Sequence, residues 1–413
     1  MSEGGSPLLR WVKPWFAPGG KLSLFFPIWE AADTFIATPA EVTPGPPHIR
    51  DAVEMKRWMI TVAFALIPCF LFGMFNAGYQ YNLARGLMET TGWAGAMEHF
   101  GRHWWEGAKI VLPLLILSYA VGGFWEVLFA IVRKHDISEG FLITGLLFPL
   151  TLPPTIPLWQ AAAGISFGVV IGKEIFGGVG YNVLNPALTA RCFLYFAYPG
   201  QISGDSVWAK VADAALLPDG WSGATALAVA KGAPAGVNVI DALREAGFTF
   251  QSMFLGLEQG SIGETSSLMI LLGLGLLLLT GVASWRVIAG GILGIAAIGS
   301  LVNALPDAAR AASPMFNLPW YYDLVMGGAL FGIVFMATDP VSAAATGPGK
   351  WIYGFGIGAL TVVVRMFNPA FPAGNMLAIL FMNVMAPMID HFVLQAHIRG
   401  RRRYLARFRH AEG

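Results

Sequence analysis

The sequence predicts an all-α polytopic membrane protein of about ten transmembrane helices, arranged as a five-plus-five inverted repeat with broken half-helices. Of its 413 residues, 55% are hydrophobic and only 12% are charged, whereas soluble domains carry about 25% charged residues. Apolar runs recur along the chain at roughly membrane-spanning length, and one Pro-containing pattern occurs in each half. These observations favour a transporter-like or channel-like architecture.

Ten apolar segments divide the chain. The predicted domains are a polar, Pro-rich N-terminal extension (1–54), a first repeat (55–198), a polar loop (199–266), a second repeat (267–395) and a basic tail (396–413). The apolar segments cover approximately residues 57–77, 108–132, 139–154, 158–176, 186–198, 267–284, 287–304, 319–338, 350–366 and 374–395.

Lys and Arg near the segment ends predict the orientation. Lys56, Arg57, Arg133, Arg286 and the basic tail fall on one side of the membrane if there are ten spans. An excess of Lys and Arg marks the cytoplasmic side. We therefore expect a multi-pass membrane protein with both termini cytoplasmic and the polar loop outside. Nucleic-acid binding is the alternative for the tail, but a position beside the membrane is favoured and no nucleic-acid partner is expected.

Cysteine and histidine content excludes several kinds of site. The two cysteines, Cys69 and Cys192, both lie in apolar segments, and they form no disulfide framework. The seven histidines form no cluster with the spacing of metal ligands. The sequence therefore indicates no zinc or haem site.

The repeated pattern combines a Pro-rich turn, one span and an Asn-Pro-Ala tripeptide. In the first half, residues 152–159 are followed by a span and by residues 185–187; in the second half, residues 339–351 are followed by a span and by residues 368–370. With five spans in each half, the two copies enter the membrane from opposite sides. The short third and fifth segments, and the eighth broken at Asp339, predict half-helices that meet near the midplane.

Charged groups inside the spans are the main candidates for ion handling. Burying one costs at least ~2.5–3.5 kcal/mol. Glu126 lies midway along the second span and Asp339 at the break in the eighth; as carboxylates facing a cavity they would suit Na⁺ or H⁺. For Lys173 and for Asp390, a position at the membrane interface is an equally good explanation.

Glycines and amides mark two further features. Residues 177–187 form a Gly-rich loop before a half-helix, where Asn182 and Asn185 could present amides to a planar polar ring. Capping of the helix by Asn185 is the alternative. Gly122 and Gly123 in the second span allow close approach of a ligand or, more commonly, of a neighbouring helix.

The polar loop contains the stretch from Asp219 to Thr225, with a carboxylate, two glycines and a hydroxyl that could form a phosphoester. The pattern alone is equally typical of a turn followed by a Thr. Its surroundings resemble a known family: the B-type membrane subunits of the Na⁺-translocating NADH:quinone oxidoreductases, which are related to the D-type subunits of the Rnf-type ferredoxin:NAD oxidoreductases. The matching stretches, which span nearly the whole chain, are residues 47–52, 173–178, 182–187, 196–205, 222–225 and 337–342.

The resemblance implies two flavins. Thr225 would carry FMN through a phosphoester, and Asp219, Ser222 and Gly223 would belong to the signal read by a separate flavin transferase. The two asparagines of the Gly-rich loop match positions expected to contact noncovalent riboflavin.

The resemblance also implies sites for quinone and Na⁺. Gly122, Gly123 and Glu126 match a region linked to the quinone pocket, and Glu126, Asp339 and Asp390 match acids linked to the Na⁺ pathway. The chain would then pass electrons through FMN and riboflavin to ubiquinone and couple this transfer to Na⁺ movement. Its partners would be the other subunits of the complex, quinone, membrane lipids and the transferase. An Rnf-type subunit and a flavin-free secondary transporter or channel remain the alternatives.

Overall fold

A computed structural model describes residues 11–16, 19–23, 26, 29, 33, 55–88, 92–134, 140–202, 208–210, 223–234, 237–368 and 374–411. Over these residues all regular secondary structure is helical, which confirms the predicted all-α fold. Most of the N-terminal extension lies outside the described residues.

The principal helices follow the predicted apolar segments. The first half contains α1 (Met55–Ala84), α2 (Phe100–Arg133), α3 (Gly140–Leu150), α4 (Leu158–Val170) and α5 (Pro186–Ala197). The second half contains α6 (Ser267–Leu279), α7 (Trp285–Asn303), a broken segment of three short pieces (Tyr322–Val325, Ala329–Phe331 and the π-helical Gly332–Met336), α8 (Gly347–Phe367) and α9 (Asn375–Ala411).

Five of the described helices are long and apolar enough to cross a membrane, and α3 and α6 are shorter apolar helices. This distribution is that of a polytopic membrane protein. The spans are Arg57–Ala84, Phe100–Arg133, Trp285–Asn303, Gly347–Phe367 and Asn375–Tyr404.

The two halves use equivalent helix pairs. In the first half α2 packs on α4 and α4 on α5; in the second half α7 packs on α8 and α8 on α9, while α1 and α6 meet across the halves. Glycines bring α7 and α8 together: a Cβ on Gly294 would lie 2.3 Å from the carbonyl oxygen of Phe355, and one on Gly358 would lie 2.0 Å from that of Gly291. Small residues permit this approach of two backbones. These two pairs match between the halves, whereas the extensive contact between α1 and α2 has no comparable counterpart between α6 and α7.

Helices α1 and α2 extend beyond their predicted apolar segments. The two helices cross closely at Gly78, where a Cβ would lie 1.8 Å from the carbonyl oxygen of His103. The polar end of α1 therefore contacts the polar start of α2. There the Asn82 side-chain amide lies 2.8 Å from His103 Nδ1 and donates to the Gly78 carbonyl at 3.0 Å. Because buried polar groups here form hydrogen bonds, the helices can continue beyond the apolar runs seen in the sequence.

Two predicted spans are interrupted. Helix α4 stops at Val170 and is followed by turns and a 3₁₀ helix (Glu174–Phe176). The chain then passes through Gly177, Gly178 and Gly180, all with positive φ, which glycine adopts without a steric penalty. The sequence predicted that the eighth span is broken at Asp339. In the structure the segment is already interrupted earlier, between Val325 and Ala329.

The polar loop folds back onto the helices. Within it lie short helices at Ala226–Lys231, Val239–Glu245 and Phe250–Leu255. Its last part bonds to the chain that leaves α3: the amides of Ile262 and Gly263 donate to the carbonyls of Leu152 (3.1 Å) and Leu150 (2.7 Å). The loop therefore closes one end of the bundle.

The predicted boundary at residue 396 falls inside a helix. Helix α9 continues through the arginines of the tail to Ala411. The basic tail thus extends directly from the last span.

Candidate functional site

A first cavity lies between the two halves. Its wall brings together Asn182, Asn185 and Asp339, three of the residues singled out from the sequence, together with Lys173. The start of α1, the start of α3 and the end of α6 supply apolar lining. The cavity therefore combines an apolar body with a few convergent polar groups, as small-molecule sites do.

The two asparagines are buried, with 6% and 4% of their surface exposed. Asn185 Oδ1 accepts hydrogen bonds from the amides of Ala187 (3.0 Å) and Leu188 (3.2 Å) and so caps α5. Asn182 Nδ2 donates to the carbonyl oxygen of Leu184 at 3.0 Å. Capping by Asn185 and a place in the cavity wall, which the sequence left as alternatives, are therefore compatible.

Asp339 follows the π-helical end of the broken segment. Its Oδ2 accepts from the Ser342 hydroxyl at 2.8 Å and its Oδ1 accepts from the Val341 amide at 3.2 Å. Both bonds fix the orientation of the carboxyl group. The side chain is half-buried, so a carboxylate in this wall can meet a cation inside the cavity.

Glu126 is paired inside the bundle. The Lys173 ammonium donates to Glu126 Oε1 and lies 3.7 Å from Glu174 Oε1, and Arg133 lies 3.5 Å from Glu174 Oε2. Lys173 and Glu126 are only 2% and 3% exposed, so Lys173 does not extend to solvent. Glu126 had no evident partner in the sequence. In the structure its partner is Lys173, from the turn after α4.

The two glycines of α2 pack against a helix. A Cβ on Gly122 would lie 2.6 Å from the ring of Phe141 in α3, and one on Gly123 would lie 3.6 Å from that ring. Neither residue lines the first cavity. Close helix packing is therefore what these positions show, and their link to quinone stays a prediction.

Asp390 lies in α9, and it anchors the turn before α8. Its carboxylate accepts from the amides of Ala345 (2.6 Å) and Thr346 (3.0 Å) and from the Thr346 hydroxyl. It does not line the cavity that contains Asp339. The structure thus assigns Asp390 a contact at the start of α8, and its place in a Na⁺ pathway stays a prediction.

A second cavity has Thr225 in its lining. Thr225 is the N-cap of the helix at 226–231, and its hydroxyl accepts from the Ala228 amide at 3.4 Å. Across the cavity Arg191 bonds to Glu264 at 2.7 Å and to the Ser261 hydroxyl at 3.3 Å. A hydroxyl and a guanidinium thus share one pocket.

The backbone before Thr225 is fixed by two neighbours. The Trp208 amide donates to the Gly223 carbonyl at 3.2 Å. The hydrogen-bond network orients the Gln259 amide nitrogen toward the carbonyls of Gly223 (3.1 Å) and Ala224 (2.8 Å). The other predicted members of this motif, Asp219 and Ser222, lie outside the described residues.

Sequence reasoning missed the charged lining of the second cavity. Glu258 and Glu264 looked like ordinary acids of a solvated loop, yet both are 6% exposed. Burial raises the pKa of the Glu258 carboxyl well above its usual range. Arg191 could have been noticed, since it is a charge inside a predicted span.

Two elements connect the cavities. Helix α5 runs from Asn185 at the first cavity to Arg191 at the second, an axial rise of about 9 Å. The broken segment runs the opposite way, from Gly328 at the second cavity to Asp339 at the first. The two pockets therefore lie one above the other along the bundle.

Comparisons with known proteins identify the family. Three relatives, each named as the B-type subunit of a Na(+)-translocating NADH-quinone reductase, are 51%, 49% and 50% identical to this chain: those of Azotobacter vinelandii (over 94% of this chain and 96% of that protein), Pseudomonas aeruginosa (95% and 98%) and Chromohalobacter salexigens (94% and 94%). Residues 42–399 match the family described as NQR2, RnfD, RnfE. The chain belongs to the NQR2, RnfD, RnfE family.

Proposed function

We propose that the chain is the subunit of a Na⁺-translocating NADH:quinone reductase that holds two flavins and couples electron transfer to Na⁺ movement. The observation that carries this proposal is the pair of stacked cavities, one beside Thr225 and the other beside Asn182 and Asn185. Relatives of about 50% identity bear the name of such a subunit. The flavins supply the redox chemistry, and the chain binds and orients them.

Covalent FMN would occupy the second cavity. Thr225 presents the hydroxyl for the phosphoester, and Gly223 and Ala224 lie beside it with their carbonyls held by neighbours. The Arg191 guanidinium lies in the same pocket and, although it is also bonded to Glu264, would partly offset the charge of the phosphodiester. A transferase separate from this chain would attach the group.

Riboflavin would occupy the first cavity. Apolar side chains make up most of its lining, and a few polar groups converge on it, as in small-molecule sites. Asn182 and Asn185 supply amides to the lining, and Lys173, which is paired with Glu126, also borders the cavity. An uncharged planar ring with polar edges suits this combination of apolar and amide lining.

The order of sites follows the direction of α5. The first cavity lies near the start of α1, where Lys56 and Arg57 are placed. By the positive-inside rule this end faces the cytoplasm, and the Thr225 end faces the periplasm of a bacterial inner membrane. Electrons from a partner subunit would reach Thr225 first, then the first cavity, and then ubiquinone beside α2.

Na⁺ would be drawn to the first cavity by Asp339. Asp339 lines the same cavity as the two asparagines, and oxygen ligands suit a hard cation. Replacing Asp339 by Asn is expected to raise the Na⁺ concentration needed for half-maximal turnover, with covalent flavin unchanged. The matched control is Asp241→Asn on an exposed loop helix. Equal Na⁺ dependence of the Asp339 variant and the wild type would remove this carboxylate from the pathway.

Covalent attachment is tested on Thr225 itself. The denatured wild-type chain from transferase-competent cells is expected to fluoresce in a gel, and Thr225→Ala is expected to be dark. Thr249→Ala is the matched control, because Thr249 also caps a short helix of the same loop. Mass spectrometry should place the FMN adduct on the peptide spanning residues 221–231. An unmodified peptide in the wild type would refute the proposal and favour a flavin-free transporter or channel.

An Rnf-type subunit is the second candidate, because the matched family includes both kinds of protein. It would use a different electron donor and no quinone. Quinone reduction by the purified complex with NADH as donor separates the two. Activity with ferredoxin alone would favour the Rnf-type subunit.

A further inference from the structure

One buried carboxyl group lies between two cavities. Glu258 lines the Thr225 cavity and also a smaller cavity beside α1. The residue is 6% exposed, and its Oε2 has no hydrogen-bond partner among the described residues. A buried carboxyl oxygen without a partner requires an explanation.

The described neighbours of Glu258 offer it no unpaired countercharge. Arg191, the cation in the wall of the Thr225 cavity, is paired with Glu264 at 2.7 Å. From α1 the facing side chains are neutral amides: Asn76 Nδ2 donates to the Glu258 main-chain carbonyl at 2.8 Å, and Gln80 lies beside it. Burial alone raises the pKa of the Glu258 carboxyl, which favours its uncharged form.

An uncharged carboxyl is a hydrogen-bond donor, whereas a carboxylate only accepts. The Thr225 cavity is where the proposed function puts FMN, whose reduction adds negative charge. A donor in the wall stabilises a more negative ligand more strongly than a neutral one. A flavin in this cavity would give the carboxyl group of Glu258 a hydrogen-bond acceptor.

We propose that Glu258, in its protonated form, donates a hydrogen bond to the flavin on Thr225 and raises the reduction potential of that flavin. This inference rests on the proposed function. No covalent bond forms or breaks at Glu258: its proton stays on the carboxyl, and the electron comes from the donor subunit. Glu258 therefore tunes the cofactor without passing electrons.

Two substitutions distinguish a protonated Glu258 that donates a hydrogen bond from an ionised Glu258. In the purified complex, Glu258→Leu removes the donor and is expected to lower the equilibrium constant for reducing the Thr225 flavin about tenfold, which is about 59 mV for a one-electron couple. Glu258→Gln keeps a neutral N–H donor and should stay within about threefold of the wild type, since one neutral hydrogen bond replaces another. Glu245→Leu, on an exposed loop helix, is the matched control and should cause no shift.

The measurement is a spectroelectrochemical titration of preparations whose gel fluorescence shows the covalent flavin. If Glu258 were ionised, both substitutions would remove a negative charge and raise the potential, and this result would overturn the proposal. An unchanged potential in Glu258→Leu would overturn it as well. Should Glu258→Leu not fold, a raised potential in Glu258→Gln still refutes the proposal and an unchanged one supports it.

Infrared spectroscopy tests the protonation without flavin. We expect the Thr225→Ala protein to show the carbonyl band of an uncharged carboxyl group. The double variant Thr225→Ala/Glu258→Gln should lack this band. Absence of that band at neutral pH would overturn the inference. A dark wild-type gel would instead refute the attachment of FMN, so failure of the inference and failure of the proposed function give different results.

Discussion

Lys173→Met is expected to destabilise the protein strongly, because it leaves the Glu126 carboxylate buried without its partner. Both side chains are about 3% exposed, and the Lys173 ammonium bonds directly to Glu126 Oε1. Removing one member of a buried ion pair costs about 3–5 kcal/mol. Glu174 also loses a cation at 3.7 Å, although Arg133 remains 3.5 Å from its other oxygen.

A surface pair in α2 gives the matched control. Lys109 lies 2.9 Å from Glu106, but its side chain is 52% exposed. Exposed pairs contribute about 0–1 kcal/mol, so Lys109→Met should change the free energy of unfolding far less than Lys173→Met. The quantity to measure is that free energy, from reversible unfolding of the purified protein in mixed detergent micelles.

The double variant Glu126→Gln/Lys173→Met completes the test. It removes both charges, and replacing a buried pair with neutral groups is often close to neutral. We expect it to recover most of the stability lost in Lys173→Met, with a coupling free energy of about 2–3 kcal/mol. If Lys173→Met were as mild as Lys109→Met, or if the double variant were as unstable as the sum of the single ones, the buried pair would be refuted.

Two further predictions concern packing and pH. Gly122→Ala places a methyl group 2.6 Å from the Phe141 ring and should cost about 1–3 kcal/mol in thermal unfolding; Phe141→Leu should restore part of this loss, and no loss in Gly122→Ala would contradict the close contact. For Glu258, the folded-state pKa lies above its unfolded value, so the folded state binds more protons and its stability falls as pH rises from the unfolded pKa through the folded one. Unfolding of Glu258→Gln, measured from pH 4 to 8, should lack this decline, and equal slopes in the two proteins would contradict it.

The helices and the polar groups of the first cavity could be predicted from the sequence better than the ion pairs between distant residues. Apolar runs located the spans. The Gly-rich loop, Asn185 and Asp339 predicted polar groups near the breaks, and the structure places these groups around one cavity. Local patterns depend on nearby residues, so a single chain reveals them.

The pairings could not be predicted because they join distant residues. Arg191 bonds to Glu264, 73 positions away, and Glu126 to Lys173, 47 positions away. The polar loop also looked solvated, because its acids resemble surface residues. The backbone hydrogen bonds of Ile262 and Gly263 to the chain at the end of α3 show that it closes the bundle. Periodicity carries no information on such long-range contacts.

Asn185 and Asp339 line the same cavity. This arrangement gives a physical link between electron transfer and cation movement in the proposed function. An electron held beside Asn185 would add negative charge to a cavity that already contains the Asp339 carboxylate. Two unit charges about 4 Å apart interact by about 4 kcal/mol at an effective dielectric constant of 20. A cation in the same cavity would offset that repulsion, so reduction would favour Na⁺ uptake and reoxidation its release. This link requires that both groups face one space, which is the arrangement that the structure shows for the two side chains.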